Sequence, residues 1–241
     1  MSFIIVGLGN PGEEYEGTRH NTGRDMLFAL AKAIGAAESA DEFKSDKKLK
    51  ALVAKGEVGQ KGGKGKKAES VTLVAPETFM NKSGLSVGLL INGTGAAGGA
   101  GAKPNLKKAE KLIVIYDDFN LPLGSIRVSF NRSSGGHNGL ESIIKAVKTE
   151  AFVRVRVGVA PEKANGTARV PHGDKEIEKF ILSPFRPSEV IELKKVTKNV
   201  IGAIETIILE TREKAMSIYN AGKFCEQCSR EHRNAKPPVA C

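Results

Sequence analysis

The sequence predicts an α/β fold: a single domain with a mixed, twisted β-sheet flanked by helices and a C-terminal amphipathic helix. Two observations carry this expectation. Short β-branched runs recur between Gly, Pro or charge clusters, as strands do. Between several of them apolar residues return at helical spacing, and strands alternating with helices imply layers packed on a mixed sheet.

Taken in order, the strand-like runs fall at residues 3–8, 49–58, 70–75, 111–116, 124–130 and 152–160. Met26, Leu27, Leu30, Ala31 and Ile34 make one helical face, and Leu140, Ile143, Ile144 and Val147 make another. A long amphipathic helix follows Pro187, with Ser188 as its expected N-cap and a stripe of Ile191, Val196, Val200, Ile204 and Ile208. The run at 59–68 is Gly/Lys-rich and the run at 93–105 Gly/Ala-rich. Neither can bury a core, so both read as flexible insertions in a domain spanning residues 1–219. Residues 220–241 read as a mobile, basic tail.

Composition narrows the function classes. The 241 residues are enough for one sizeable α/β domain, and 40% of them are hydrophobic with a mean hydropathy of −0.22, as in ordinary globular proteins. No apolar run approaches the roughly 18–20 residues of a membrane span. The start, Met1-Ser2 leading directly into a strand, lacks a basic region and cleavage site, so a cytoplasmic protein with no membrane partner is expected. The three cysteines lie in the last 17 residues (Cys225, Cys228, Cys241) and cannot close a disulfide framework; the rest of the chain is cysteine-free, as a reducing compartment permits. Cys225, Cys228 and His232 have a spacing that zinc tolerates, but one such pair in a proline-ended tail is a weak signal, and no resident metal is expected. An excess of 37 Lys+Arg over 27 Asp+Glu, a formal charge of +10, favours a polyanionic partner without naming it.

Five polar runs stand out. Gly7-Leu8-Gly9-Asn10-Pro11-Gly12 follows the first strand and spells G-x-G-x-x-G, yet a turn follows instead of a helix, and no acidic strand end comes about 20 residues later. Tyr15-Glu16-Gly17-Thr18-Arg19-His20-Asn21-Thr22-Gly23 precedes the first helix. Thr78-Phe79-Met80-Asn81-Lys82-Ser83-Gly84 follows a strand, Tyr116-Asp117-Asp118 ends one, and Gly135-Gly136-His137-Asn138-Gly139 opens a helix. Carboxyl ends of strands in an open α/β sheet form the ligand crevice, so Asn10, Asn81 and Asn138 are expected within reach of one another.

These five runs, in this order and spacing, resemble the bacterial-type peptidyl-tRNA hydrolases over roughly residues 3–210. The resemblance implies hydrolysis of the ester joining a peptide to the 3′-terminal ribose of peptidyl-tRNA, without a cofactor. It implies His20 as the general base for water and Asp117 as the acid that pairs with it, fixing its tautomer. Asn10, Asn81 and Asn138 would hold the peptide and ester through uncharged amides, with Tyr15 and His137 nearby. Phe79 and Met80 would wall the peptide or pack the core. Arg156 matches a basic position near the tRNA. Arg154 shares a strand face with Arg156 while Val153, Val155 and Val157 enter the core, and Arg154, Arg127, Arg132 and Lys145 are further phosphate candidates. Ser129 stands where the family usually has a lysine, and Arg132 either compensates or does not. A monomer is expected. The rival reading is a non-catalytic RNA-binding protein on the same fold; a small-metabolite esterase lacks its G-x-S-x-G turn here.

Overall fold

The computed structural model describes residues 2–59, 68–93 and 105–221. Residues 60–67, 94–104 and 222–241 lie outside it, and with them most of both insertions, most of the tail, and Cys225, Cys228, His232 and Cys241. The described residues build a seven-stranded mixed sheet in the order β2-β3-β4-β1-β5-β7-β6, with β4, β1, β5 and β7 parallel. The strands are β1 (Phe3–Gly7), β2 (Lys44–Asp46), β3 (Ala51–Val58), β4 (Glu69–Pro76), β5 (Leu112–Pro122), β6 (Ile126–Phe130) and β7 (Val153–Ala160).

The central strands are apolar on both faces because both faces are covered. In β1, Ile5 enters one core with Leu73, Ile113 and Ile115, while Ile4 and Val6 enter the other with Val74 and Val114. Helices α1 (Thr22–Ala33), α6 (Pro187–Leu209) and α7 (Arg212–Tyr219) cover the first face. Helices α2 (Gly84–Asn92), α3 (Leu106–Ala109) and α4 (Asn138–Val147) cover the second, and α5 (Asp174–Ile181) buries no residue. The chain leaves β1 by α1 towards β4 and returns by α2 to β5 on the other side of β1. That reversal places the crevice beyond the carboxyl ends of β4, β1 and β5.

Three expectations need correction. Ser188 is not the cap of α6. Pro187 takes the first helical position, where its missing N–H costs nothing, so the cap falls on Arg186, whose N–H donates to Glu189 Oε2 at 2.7 Å. Ile191 leaves the apolar stripe and is 59% exposed, because the first turns of α6 pack on the Arg19 side chain and not over the sheet. Asp117 is inside β5 and not at its end, since β5 runs on to Pro122. It still lies beyond the end of β1, whose last paired residue, Gly7, faces Ile115.

Candidate active site

Two glycines bring the first helix close enough to build the site. A Cβ on Gly23 would sit 2.3 Å from the Ile115 carbonyl oxygen and 2.7 Å from that of Leu8, and one on Gly7 would sit 2.5 Å from the Gly23 oxygen. With both side chains absent, the start of α1 presses onto the ends of β1 and β5, and Arg24 N–H donates to the Leu8 carbonyl at 2.8 Å. The 3₁₀ turn Arg19–Asn21 just before α1 is thereby buried over the sheet.

Side chains then lock three of the polar runs together. Asn21 Oδ1 accepts from Asn10 N–H at 2.8 Å while its Nδ2 donates to the Asn10 carbonyl at 3.0 Å. Asn10 Oδ1 accepts from Met80 N–H at 2.8 Å. Among the described residues no acceptor takes the Asn10 Nδ2 hydrogens, so these remain available to a ligand. Asn10 therefore orders the Met80–Lys82 turn, and Asn21 orders Asn10.

Asp117 receives two histidines. His20 Nδ1 lies 2.9 Å from Oδ1 and 3.1 Å from Oδ2, and His137 Nε2 lies 3.1 Å from Oδ1. Leu140 N–H donates to His137 Nδ1 at 3.2 Å, which caps α4 and places the His137 ring hydrogen on Nε2, facing Asp117. Burial alone would push the His20 imidazole down, but the charge and hydrogen bond of Asp117 outweigh it and hold it above its ordinary 6.5. Burial alone would push Asp117 up; the charge of His20 and the hydrogen bonds of both rings instead hold it well below the usual carboxylate range. His20 Nε2 has no protein partner among the described residues, and 6% of the residue stays exposed.

One atom from each of His20, Asp117 and His137 falls within 4.8 Å of the others, the outline of a metal site. The hydrogen bonds argue against that use. A metal on His137 Nε2 would force the ring hydrogen onto Nδ1, where Leu140 N–H already points.

Two openings flank this triad. A groove of about 410 Å³ between α2 and α4 is lined by Asn81, Leu85, Asn138, Ser142 and Lys145. Asn81 and Asn138 therefore line one groove; Asn10 does not line it, but its Oδ1 accepts from the N–H of Met80, next to Asn81. The Phe79–Met80 pair divides: Met80 is core at 4% exposed, whereas Phe79 is 54% exposed and meets Tyr15 edge-on at 6.3 Å. Lys145 is paired with Glu141 at 2.9 Å. The second opening, about 440 Å³, is lined by Asp117, His137, Ser129, Arg127, Arg132 and Arg156. Arg156 is oriented by Asp118, with Nε and a terminal nitrogen both 2.6 Å from Oδ2. Arg154 does not line this opening. It is fully buried with its guanidinium on backbone carbonyls, because β7 is covered on that face also. Ser129 Oγ is buried and has no hydrogen-bond partner among the described residues.

Sequence reasoning missed Arg19 and Asn21. Arg19 lies between the rings of Phe180 and Phe185, 4.6 Å from each centroid, and donates to the Val159 carbonyl at 2.9 Å and to Glu189 Oε2 at 2.8 Å. Its partners lie some 140 to 170 residues away in the chain, and no local pattern announces them.

The peptidyl-tRNA hydrolase family model matches residues 4–227 of this chain. A peptidyl-tRNA hydrolase of Aquifex aeolicus is 36% identical over 217 residues, covering 90% of this chain and 95% of that one. A chloroplastic peptidyl-tRNA hydrolase of Arabidopsis thaliana is 35% identical over 230 residues, 95% of this chain and 68% of that one. Among solved structures, a peptidyl-tRNA hydrolase from Acinetobacter baumannii superposes with a TM-score of 0.72 at 26% identity, covering 92% of this chain and 96% of that one.

Proposed function

Since the chain belongs to the peptidyl-tRNA hydrolase family, it cleaves the ester between a peptide and the 3′-terminal ribose of tRNA, and we propose that His20 is the general base of this reaction, with Asp117 as its partner. The observation that carries the assignment is the bond from His20 Nδ1 to a buried carboxylate at 2.9 Å, which leaves Nε2 unpartnered. In this reading Nε2 takes a proton from water as the oxygen bonds to the ester carbonyl carbon. Asp117 stabilises the imidazolium that results. When the tetrahedral intermediate collapses, the carbon–ribose oxygen bond breaks and the proton passes from Nε2 to that oxygen. The products are a peptide carboxylic acid and a tRNA with a free terminal hydroxyl.

The other residues divide by position. Asn10 offers its Nδ2 hydrogens and orders the Met80 turn; Asn81 and Asn138 supply amides to the peptide in the groove between α2 and α4, beside Lys145. Tyr15 and Phe79 form its aromatic border, and Met80 supports it from the core. His137 holds Asp117. Arg127, Arg132 and Arg156, in the larger cleft, contact tRNA phosphates. No helix of the described residues is long and apolar enough to cross a membrane. A monomeric cytoplasmic enzyme fits this reading, supported by a described body without cysteine.

The test is hydrolysis of an N-blocked aminoacyl-tRNA, with unblocked aminoacyl-tRNA as the specificity control. His20→Ala should lower kcat by about 10²-fold or more, in EDTA as without it. A variant within a few-fold of the parent would overturn His20 as the base.

A further inference from the structure

Among the described residues Arg154 is the largest fully buried side chain, and no carboxylate forms an ion pair with it. Its guanidinium lies 4.3 Å over the Phe152 ring. One terminal nitrogen donates to the carbonyls of Glu150 at 3.2 Å and Phe152 at 3.3 Å, the other to the carbonyl of Arg132, and Nε has no partner. Burial disfavours the Arg154 charge, and Glu150 attracts it without forming an ion pair, so the guanidinium carries a desolvation cost that a methionine of similar length would avoid. Stability is therefore a poor reason for a guanidinium here, and the residue it reaches is a better one.

Arg132 stands in the loop between β6 and α4. That loop begins at Asn131, with φ at 52°, and ends at Gly135 and Gly136, with φ at 61° and 85°. Gly135 and Gly136 take these values freely, so the only side-chain-bearing residue held there is Asn131, and the Arg154 guanidinium donates to the carbonyl of the next residue, Arg132. Arg132 lines the 440 Å³ cleft together with Arg127 and Arg156. Only a rigid fork of donors spans carbonyls on two separate segments; a lysine ammonium reaches one of them at most.

We propose that Arg154 is a positioning residue for tRNA: by holding the Arg132 carbonyl it stands the Arg132 side chain in the cleft with Arg127 and Arg156. This rests on the reading of that cleft as the phosphate contact. It also accounts for a cation on β7 that tRNA cannot touch.

The test compares the parent with Arg132→Ala, Arg154→Lys, Arg154→Met and the Arg132→Ala/Arg154→Met double variant on N-blocked aminoacyl-tRNA. Arg154→Met keeps the volume and removes the buried charge, so it reads the loss of the contact without leaving an ammonium in a dry site. Each single variant should raise KM by about three- to tenfold with kcat within roughly twofold. The double variant should be no worse than Arg132→Ala alone, since residues acting through one contact are not additive. Additive losses, or a lowered Tm with KM unchanged in both Arg154 variants, overturn the proposal and leave Arg154 a packing residue. An unchanged KM in Arg132→Ala sinks the reading of the cleft itself, a distinguishable failure.

Discussion

Folding moves His20 and Asp117 in opposite directions, and the consequence for pH can be worked out residue by residue. The His20 imidazole is held above 6.5, so its contribution to stability is complete below that pH and is lost as pH rises through the folded value. Asp117 is held below its ordinary 3.8, so its contribution is present above that pH and is lost as pH falls towards the folded value. The pair thus stabilises the fold most between these two ordinary values. With His20 as the proposed base, catalysis asks for the unprotonated ring, so activity should rise with pH above 6.5, where the pair's stabilisation declines. In Asp117→Asn both upward influences on His20 disappear and burial alone remains. The acid limb of kcat/KM should then move below 6.5 while kcat falls on the order of 10²–10⁴-fold, as expected when an imidazole loses its orienting carboxylate. A pH–rate profile checks both; an acid limb that stays put means that Asp117 does not raise His20.

At the scale of elements, the polar run before α1 is held from two sides. Gly7 and Gly23 let the helix start press onto the sheet, and Arg19 ties the same turn to β7 and to the start of α6. The Arg19 and Glu189 side chains are 5% and 13% exposed, so removing one strands the other in a dry environment. Arg19→Met should cost about 3–5 kcal/mol in urea unfolding, and Glu189→Met added to it should recover part of that loss. A cost below about 1 kcal/mol would show that the clamp does not hold the turn. The helices differ in how far the residues announced them. Leu140, Ile143 and Val147 mark α4 plainly, because its apolar face repeats against the sheet. The short helix α2 packs through Gly84 and Gly88 against Ser142 and Ala146, so small residues and not apolar ones mark its contact face. In α5 no residue is fully buried; Ile177, Phe180 and Ile181 form a short half-buried stripe, which sequence reasoning missed.

At the scale of the whole molecule three arginines gather in one cleft, while most of the net charge of +10 falls on residues 60–67, 94–104 and 222–241, outside the described residues. Arg127, Arg132 and Arg156 share a cleft with Asp117, so tRNA seated on those arginines would bring its terminal ester to the catalytic pair. Neutralising phosphates releases counterions, which makes affinity fall steeply with salt. The slope of log(kcat/KM) against log[salt] should be shallower by about one in Arg127→Ala than in the parent. Equal slopes would mean that Arg127 neutralises no phosphate. The formal charge of +10 foretold the class of partner but not this place, because a sum over the chain carries no coordinates.

The mixed sheet and its flanking helices were legible in the residues alone, and the family resemblance singled out His20 and Asp117, which the fold brings to 2.9 Å of each other. Periodicity records which side chains leave water, and polar runs after strands mark the crevice whatever surrounds them. What the packing decided was the use of each polar group. Arg154 and Arg156 alternate identically along β7, yet one is sealed under the loop at Arg132 and the other is held at a cleft by Asp118. Asn10 and Asn138 look alike in sequence, yet one spends its Oδ1 on the Met80 N–H and the other lines the groove. Asn21 and Arg19 gave no local sign, since their partners are backbone carbonyls and side chains brought close only by the folded sheet. A residue type fixes which hydrogen bonds are possible; burial and distance, which only the fold supplies, select the ones that form.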